Sequence, residues 1–224
     1  MDGKFNGKGK IYYKNNKIKF EGNLVKGKYE GEGKYVYKNG DYYIGDFLDG
    51  LRHGKGKEYY CKNHIKYDGD FIKDKYEGNG KKIFIDNDEY YIGPFLNGKE
   101  EGRGVRYYKD GTVKYDGNFS QGKYNGIGRY NYLNGEYYFG EWVNGMKHGK
   151  GEEYYKFNCL KYEGDFVKDK YEGFGKFIFE NGNYYEGEFL GGWKHGKGKI
   201  YYKNSKTFID VNYVNDEVEK CIIL

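Results

Sequence analysis

Residues 162–184 read YEGDFVKDKYEGFGKFIFENGNY, and this stretch decides the fold. Read with a period of two, it places Tyr162, Gly164 and Phe166 on one face of a short strand and acidic residues on the other. A second strand follows around Gly175, and the Asn-Gly pair at residues 181–182 is a strong signal for a hairpin turn. The stretch therefore predicts one β-hairpin.

The same pattern occurs eight times, at starts that are 23 or 24 residues apart. The starts are Phe20, Tyr43, Tyr67, Tyr91, Tyr115, Tyr138, Tyr162 and Tyr185. A fixed period of this length indicates a repeat array. We predict an all-β antiparallel meander with a half-repeat cap at residues 1–19, eight repeats at residues 20–207, and a half-repeat cap with a tail at residues 208–224. Tyr-Tyr doublets at alternate starts indicate that the unit is a pair of repeats.

Each repeat has glycines inside its strands, which normally weakens a strand by about 0.5–1 kcal/mol per residue. Aromatic rings lying flat over the bare backbone would offset this cost, since each ring buries about 150–250 Å². We therefore predict that rings over glycine form the core of a sheet with no second layer.

The face opposite the rings is charged, with acidic first strands and basic Gly-x-Gly strands. The acidic positions are Glu21, Asp46, Asp68, Asp70, Asp116, Glu141, Glu163, Asp165, Glu186 and Glu188. The basic positions are Lys8, Lys10, Lys34, Lys55, Lys57, Lys81, Arg103, Arg129, Lys150, Lys176, Lys197 and Lys199. Cross-strand pairs of opposite charge help to fix the strand register. A solvated charged face and an anion-binding surface are both compatible with this pattern.

Composition narrows the class of protein. The 224 residues carry a net charge of +5 with both signs mixed, which gives little support for nucleic-acid binding. Aromatic residues make up 21% of the chain, which argues against disorder. The sequence has no apolar run long enough for a transmembrane helix and no signal-peptide core, and its three cysteines form no disulfide pattern. We expect a cytoplasmic protein.

Residues 185–198, YEGEFLGGWKHGKG, resemble the MORN (membrane occupation and recognition nexus) repeat nearly throughout. The resemblance extends over almost the whole chain, with local departures at Pro94 and at Asp74 and Asp169, where the repeat usually has glycine. It implies an elongated, twisted, single-layer sheet with a groove. It also implies a scaffold between membranes, cytoskeleton and partner proteins, because catalysis in MORN-containing enzymes resides in other domains.

We expect the partner, a helix or an extended peptide, to contact the aromatic face, because Tyr and Trp dominate interface energetics. The candidate contacts are Tyr43, Phe47, Tyr67, Phe71, Tyr91, Phe95, Tyr115, Phe119, Tyr138, Trp142, Tyr162, Phe166, Tyr185 and Phe189. For each ring the alternative is packing within the repeats alone. A homo-oligomer is also compatible with the sequence.

The chain ends Cys221-Ile222-Ile223-Leu224, which fits a C-a-a-X prenylation box, and the terminal leucine favours a geranylgeranyl group. A final apolar strand is the alternative interpretation. We predict lipidation of Cys221. One lipid chain anchors only marginally, so a second membrane signal would be needed for stable attachment.

No catalytic residues, cofactor site or metal site are predicted. His53, His148 and His195 recur in His-Gly-Lys-Gly contexts, but the repeat spacing places them too far apart to share a metal ion, so we assign them a role in turns. The sequence thus predicts a non-enzymatic scaffold tethered to the cytosolic face of a membrane. The alternatives are a module that binds acidic phospholipids and a regulatory subunit of a lipid kinase.

Overall fold

The computed structural model describes residues 5–222, and the side chains of residues 5–219. This part of the chain contains twenty β-strands and one short 3-10 turn at Lys156–Asn158. The predicted all-β meander of antiparallel hairpins is confirmed. None of its helical segments has the length and apolar character needed to cross a bilayer.

The chain divides into two compact units, a division that the repeat pattern does not signal. Unit 1 comprises residues 1–113 with 120–122, and unit 2 comprises residues 114–119 with 123–224. Two of the three changes of unit fall within the strand Val113–Ser120, and the third falls directly after the turn that follows it.

In unit 1, each strand pairs antiparallel with the next, up to the last pair. The strands are β1 (Gly7–Tyr12), β2 (Ile18–Val25), β3 (Lys28–Val36), β4 (Tyr42–Leu48), β5 (Leu51–Tyr59), β6 (Ile65–Ile72), β7 (Lys75–Phe84), β8 (Glu89–Leu96), β9 (Lys99–Glu100) and β10 (Gly102–Tyr107). Both β9 and β10 pair with β8, and the break between them lies opposite Pro94, whose carbonyl accepts a bond from the Glu101 amide. Other hairpins carry a β-bulge at this point, for example between Gly69 and Asp70.

Unit 2 continues the same pattern. Its strands are β11 (Val113–Ser120, mainly in this unit), β12 (Lys123–Asn131), β13 (Tyr137–Val143), β14 (Met146–Tyr155), β15 (Cys159–Val167), β16 (Lys170–Ile178), β17 (Tyr184–Leu190), β18 (Trp193–Tyr202), β19 (Thr207–Val214) and β20 (Glu217–Ile222). From β12 onward every strand pairs antiparallel with its successor.

A row of paired glycines crosses each sheet. In unit 1 the row is Gly9, Gly22, Gly33, Gly45, Gly56, Gly69, Gly80 and Gly93. In unit 2 it is Gly128, Gly140, Gly151, Gly164, Gly175, Gly187 and Gly198, and it ends at Val211. The glycine that the C-terminal half-repeat lacks is therefore the one that would have extended this row.

The aromatic ring at each repeat start lies over one pair of these glycines. A Cβ atom added to Gly56 would lie 2.3 Å from the Tyr43 ring, and one added to Gly164 would lie 2.4 Å from the Tyr162 hydroxyl. No real Cβ atom approaches so closely, so only glycine leaves room for the ring. The predicted packing of rings over glycine is therefore the packing that the structure has.

Seven of the eight repeat starts are tyrosine, and the hydroxyl group accounts for this preference. The Tyr43 hydroxyl donates to the carbonyl oxygen of Asp46 at 3.0 Å, and Tyr138 does the same to Glu141 at 2.9 Å. The same bond forms in the other five Tyr repeats. Each hydroxyl thus satisfies a buried polar group next to the bulge and holds the ring over its glycines.

The two strands of each hairpin are joined by two-residue turns in which both residues have positive φ, as at Asn144 (53°) and Gly145 (87°). Such turns match the twist of the strands. Asp74 and Asp169 depart from the repeat's glycine here and have φ values of 68° and 69°. Their carboxylates accept hydrogen bonds from the backbone amides of Arg52 and Lys147, at 2.9 and 2.8 Å, in the preceding hairpin. The aspartates therefore connect neighbouring hairpins at positions where glycine would only relieve strain.

Candidate functional site

The predicted partner contacts form a buried layer of rings. This ring layer consists of the aromatic residue at each repeat start and, in all repeats but the first, the aromatic residue four positions later. The predicted contacts Tyr43, Phe47, Tyr67, Phe71, Tyr91, Phe95, Tyr115, Phe119, Tyr138, Trp142, Tyr162, Phe166, Tyr185 and Phe189 are 0–5% exposed. Packing within the repeats, the alternative stated for each ring, is what the structure shows. That these rings also touch a partner stays a prediction.

A second tier of side chains covers the ring layer, and it alternates from one repeat to the next. In four repeats a tyrosine stacks on the start ring, with Tyr76 on Tyr67 and Tyr171 on Tyr162, both at 3.8 Å between ring centroids. In the intervening repeats a charged residue occupies the equivalent position, such as Arg52, whose guanidinium lies 5.0 Å from the Phe71 ring. This alternation is the structural basis of the two-repeat period.

The charged members of this tier form compact ionic clusters. Glu58, which is 6% exposed, accepts hydrogen bonds from Arg52 at 3.0 Å, Lys66 at 3.0 Å and the Tyr76 hydroxyl at 2.7 Å. Burial, and then the neighbouring Glu58 carboxylate, raises the pKa of Tyr76. Because the three donors share one carboxylate, the cluster contributes to holding three strands of two neighbouring hairpins together.

Unit 2 contains an equivalent cluster around Glu153. The carboxylate pairs with Lys147 and Lys161 and accepts a bond from the Tyr171 hydroxyl at 2.6 Å. Sequence reasoning did not identify either glutamate. The sequence does contain a signal for them. Glu58 and Glu153 lie two residues after a glycine of the row, so period-two alternation places them on the same face as the rings.

On the opposite face, which we call the charged face, the predicted acid–base pairing between strands is present. Ion pairs join Lys10 to Glu21 at 3.0 Å, Lys57 to Asp68 at 2.9 Å and Lys150 to Asp165 at 2.8 Å. These pairs are solvent-exposed, so each stabilises the fold only slightly.

The charged face of unit 2 also carries a groove of about 650 Å³. Its lining residues are Ile127, Phe139, Gly140, Glu141, Lys150, Gly151, Glu152, Glu163, Gly164, Phe174, Gly175, Lys176 and Glu186. The apolar members Ile127, Phe139 and Phe174 are 50%, 47% and 60% exposed. In the described part of unit 2, this groove therefore combines exposed apolar side chains with a floor of glycine backbone and an excess of carboxylates.

A third surface lies on the charged face beside the two-residue turns, and we call it the turn edge. It has exposed apolar side chains, mostly aliphatic, interspersed with lysines. In unit 1 its residues are Val25, Lys28, Leu48, Leu51, Ile72, Lys75, Leu96 and Lys99. In unit 2 they are Lys123, Val143, Val167, Lys170, Leu190, Trp193 and Val214. Aliphatic groups beside lysines are typical of surfaces that contact lipid headgroups.

The recurring histidines do not lie in turns, so that prediction is wrong. His53, His148 and His195 are inside β5, β14 and β18, each immediately before a glycine of positive φ at the bulge. The positive-φ glycine after each histidine belongs to a β-bulge, which adds one residue within the strand and is not part of the two-residue turn. Among residues 5–222 no three His, Cys, Asp or Glu side chains are grouped to hold a metal ion.

Cys221, the predicted lipidation site, has its backbone in β20, paired with Val211. Its side chain and residues 223–224 lie outside the part that the structure describes. The other two cysteines, Cys61 and Cys159, are free thiols at the surface.

Comparison with known families identifies the repeat. The model of the family described as MORN repeat matches residues 1–17, 20–42, 43–65, 67–89, 91–113, 115–137, 138–156, 162–184 and 185–207. Eight of these segments begin where the sequence analysis placed the repeat starts, and the ninth lies in the predicted N-terminal cap. No curated protein matches the chain significantly.

Proposed function

Because the chain belongs to the MORN repeat family, we propose that it is a non-enzymatic scaffold that binds a protein partner and is held at the cytosolic face of a membrane. The observation that carries the binding role is the groove on the charged face. Its phenyl and aliphatic side chains remain exposed, whereas the start rings are almost fully covered. Exposed apolar side chains in a concave surface are typical of protein interaction sites.

Site-specific photocrosslinking in cells tests the scaffold role. A photoreactive phenylalanine derivative at position 174, in the groove, is expected to crosslink to a reproducible set of polypeptides. The matched control is position 157, because Phe157 is also exposed but lies in a loop. Crosslinks from position 171, in the tier over the ring layer, would favour the aromatic face instead. Absence of protein crosslinks at both 174 and 171 would contradict the scaffold function.

The membrane role rests on the C-a-a-X pattern at Cys221, which we propose is geranylgeranylated. For this modification the backbone of Cys221 has to separate from Val211 of β19, with which it is paired. The turn edge favours a second candidate function, recognition of acidic phospholipids, because it adds lysines and aliphatic side chains to a single lipid chain that anchors only marginally.

The variant Cys221→Ser separates these two contributions. We expect it to move from the membrane fraction to the soluble fraction, with intact-mass measurement of the wild type showing the added isoprenoid. An unchanged distribution would argue against the lipid anchor. Binding of the purified variant to phosphatidylserine vesicles, weakening as salt increases, would support direct phospholipid recognition. Equal binding to neutral vesicles would contradict it.

A further inference from the structure

The groove on the charged face of unit 2 is a place where the repeat pattern breaks three times. At the position after the repeat start, other copies have Glu, Asp or Ile, but this one has Phe139. In the Gly-x-Gly centre, Phe174 replaces the polar or aliphatic residue of the other copies. Two residues after that centre, the other copies have Lys, Arg or Val, whereas here Glu152 stands. The strand register brings all three departures into one groove.

Glu152 stands where most other copies of the repeat supply a residue of opposite charge to the acidic strand. Glu152 lies directly opposite Glu163, whereas the equivalent pair in unit 1 is Lys57 and Asp68, bonded at 2.9 Å. Like charges directly opposite each other in a sheet are destabilising. Among the described residues no Lys or Arg forms an ion pair with Glu152, whose carboxylate accepts a hydrogen bond from the Tyr154 hydroxyl. Within the described side chains, Glu163 and Glu186 are also without an ion pair, although the register places Lys176 opposite both of them.

The net charge of the lining residues determines which ligand charge the groove favours. The groove has four glutamates and two lysines, and therefore a net charge of −2. Lys150 is already paired with Asp165 at 2.8 Å, and Lys176 lies over the Tyr184 ring at 4.2 Å. A cationic ligand is favoured, and an anionic lipid surface is not.

The exposed rings of Phe139 and Phe174 determine how far apart the apolar groups of a ligand have to be. Phe139 is on β13 and Phe174 on β16, three strand spacings or about 14 Å apart across the sheet, with the Glu152–Glu163 pair between them. Phe174 is also displaced by two residues along β16 from Lys176, the residue opposite Glu163. In an extended chain, four residues span about 13 Å and every second side chain points to the same side. A peptide can therefore present three side chains to the groove at once. They would be an apolar residue, a cation two residues later and a second apolar residue two residues after the cation.

From this geometry we propose that the groove binds an extended segment of a partner protein with the pattern apolar-x-(Lys/Arg)-x-apolar. The cation lies between Glu152 and Glu163, and the two apolar side chains contact Phe139 and Phe174. This inference rests on the proposed scaffold function and specifies the chemistry of its partner.

Selection of short random linear peptides on the full-length chain tests the proposal. The expected consensus has Lys or Arg at the centre and an apolar residue two positions away on each side. Glu152→Lys removes the acceptor of the part-buried Tyr154 hydroxyl but follows the repeat pattern and places a cation opposite Glu163, so it should fold about as stably as the wild type. It is nevertheless expected to weaken binding of the selected peptides by about tenfold or more. Phe174→Lys should also weaken binding.

Two matched controls complete the experiment. Lys57→Glu creates the same carboxylate pair opposite Asp68 in unit 1, where Asn79 stands in place of Phe174, and Phe157→Ala removes an exposed ring elsewhere in unit 2. Neither should change the affinity. An acidic or uncharged consensus, a helical spacing, or equal binding to Glu152→Lys would overturn the proposal. Peptides that bind independently of the groove variants would leave the scaffold function standing, whereas failure to select any peptide, with no crosslinks in cells, would contradict both.

Discussion

Gly164→Ala is expected to lower the free energy of unfolding by about 3 kcal/mol or more, although it adds a single methyl group. The new Cβ would lie 2.4 Å from the Tyr162 hydroxyl and 2.9 Å from the Cα atom of Gly175. Because backbone lies on one side and a fully buried ring on the other, the ring has to leave its position. That movement exposes apolar surface and breaks the hydroxyl bond to Asp165.

Urea unfolding followed by circular dichroism measures this loss, with Gly9→Ala as the matched control. Gly9 belongs to the glycine row of unit 1, but a Cβ there meets only the Leu24 side chain at 3.5 Å, an ordinary contact. Alanine should therefore be neutral or stabilise the protein by about 0.5 kcal/mol. Equal losses in the two variants would show that glycine is required for a reason other than room for the ring.

Glu58→Ala is expected to destabilise unit 1 by about 3 kcal/mol or more. The substitution removes the acceptor shared by Arg52, Lys66 and Tyr76. Arg52, whose side chain is only 16% exposed, would retain its pair with Asp74 but lose the partner on its other side. The cost arises because a mostly buried cation and a buried hydroxyl lose their partner without regaining water.

The comparison for Glu58→Ala is Asp68→Ala, which breaks the ion pair with Lys57 on the charged face. Both of these side chains are more than 40% exposed, so water replaces the lost interaction and the change should stay within about 1 kcal/mol. Chemical denaturation of the two variants side by side gives the contrast. A loss for Glu58→Ala as small as that for Asp68→Ala would mean that the buried cluster contributes little to stability.

The sequence predicts the hairpins well because their determinants are local. Period-two alternation, the Asn-Gly turn at residues 181–182 and the repeated glycines act within one repeat. At residues 181–182 the predicted hairpin turn is present, with Gly182 at a φ of 83° and its amide bonded to the Phe179 carbonyl. The packing of rings over glycines can also be predicted from one repeat. Glycines on the same face as an aromatic residue leave space above the backbone, and the neighbouring ring can fill it.

The exposure of the rings could not be predicted in the same way. A tyrosine on a strand gives the same periodicity whether another side chain covers it or not. Tyr162 is covered because Tyr171 stacks on it and the rings of Phe166 and Phe189 pack against it. The groove was missed for a related reason. Phe139, Glu152 and Phe174 each look like a tolerated variation within one repeat, and only the register between four strands shows that they meet.

The alternation of the second tier has a consequence for how such a chain can change in length. Arg52 contacts Phe71 and Asp74 of the following repeat, so each cationic copy requires a neighbour that offers a ring and a turn carboxylate. Removing one copy would bring two charged or two tyrosine copies side by side. Gain or loss of repeats during evolution is therefore compatible with the packing only in steps of two, which makes the duplicated genetic unit about twice the length of the visible motif.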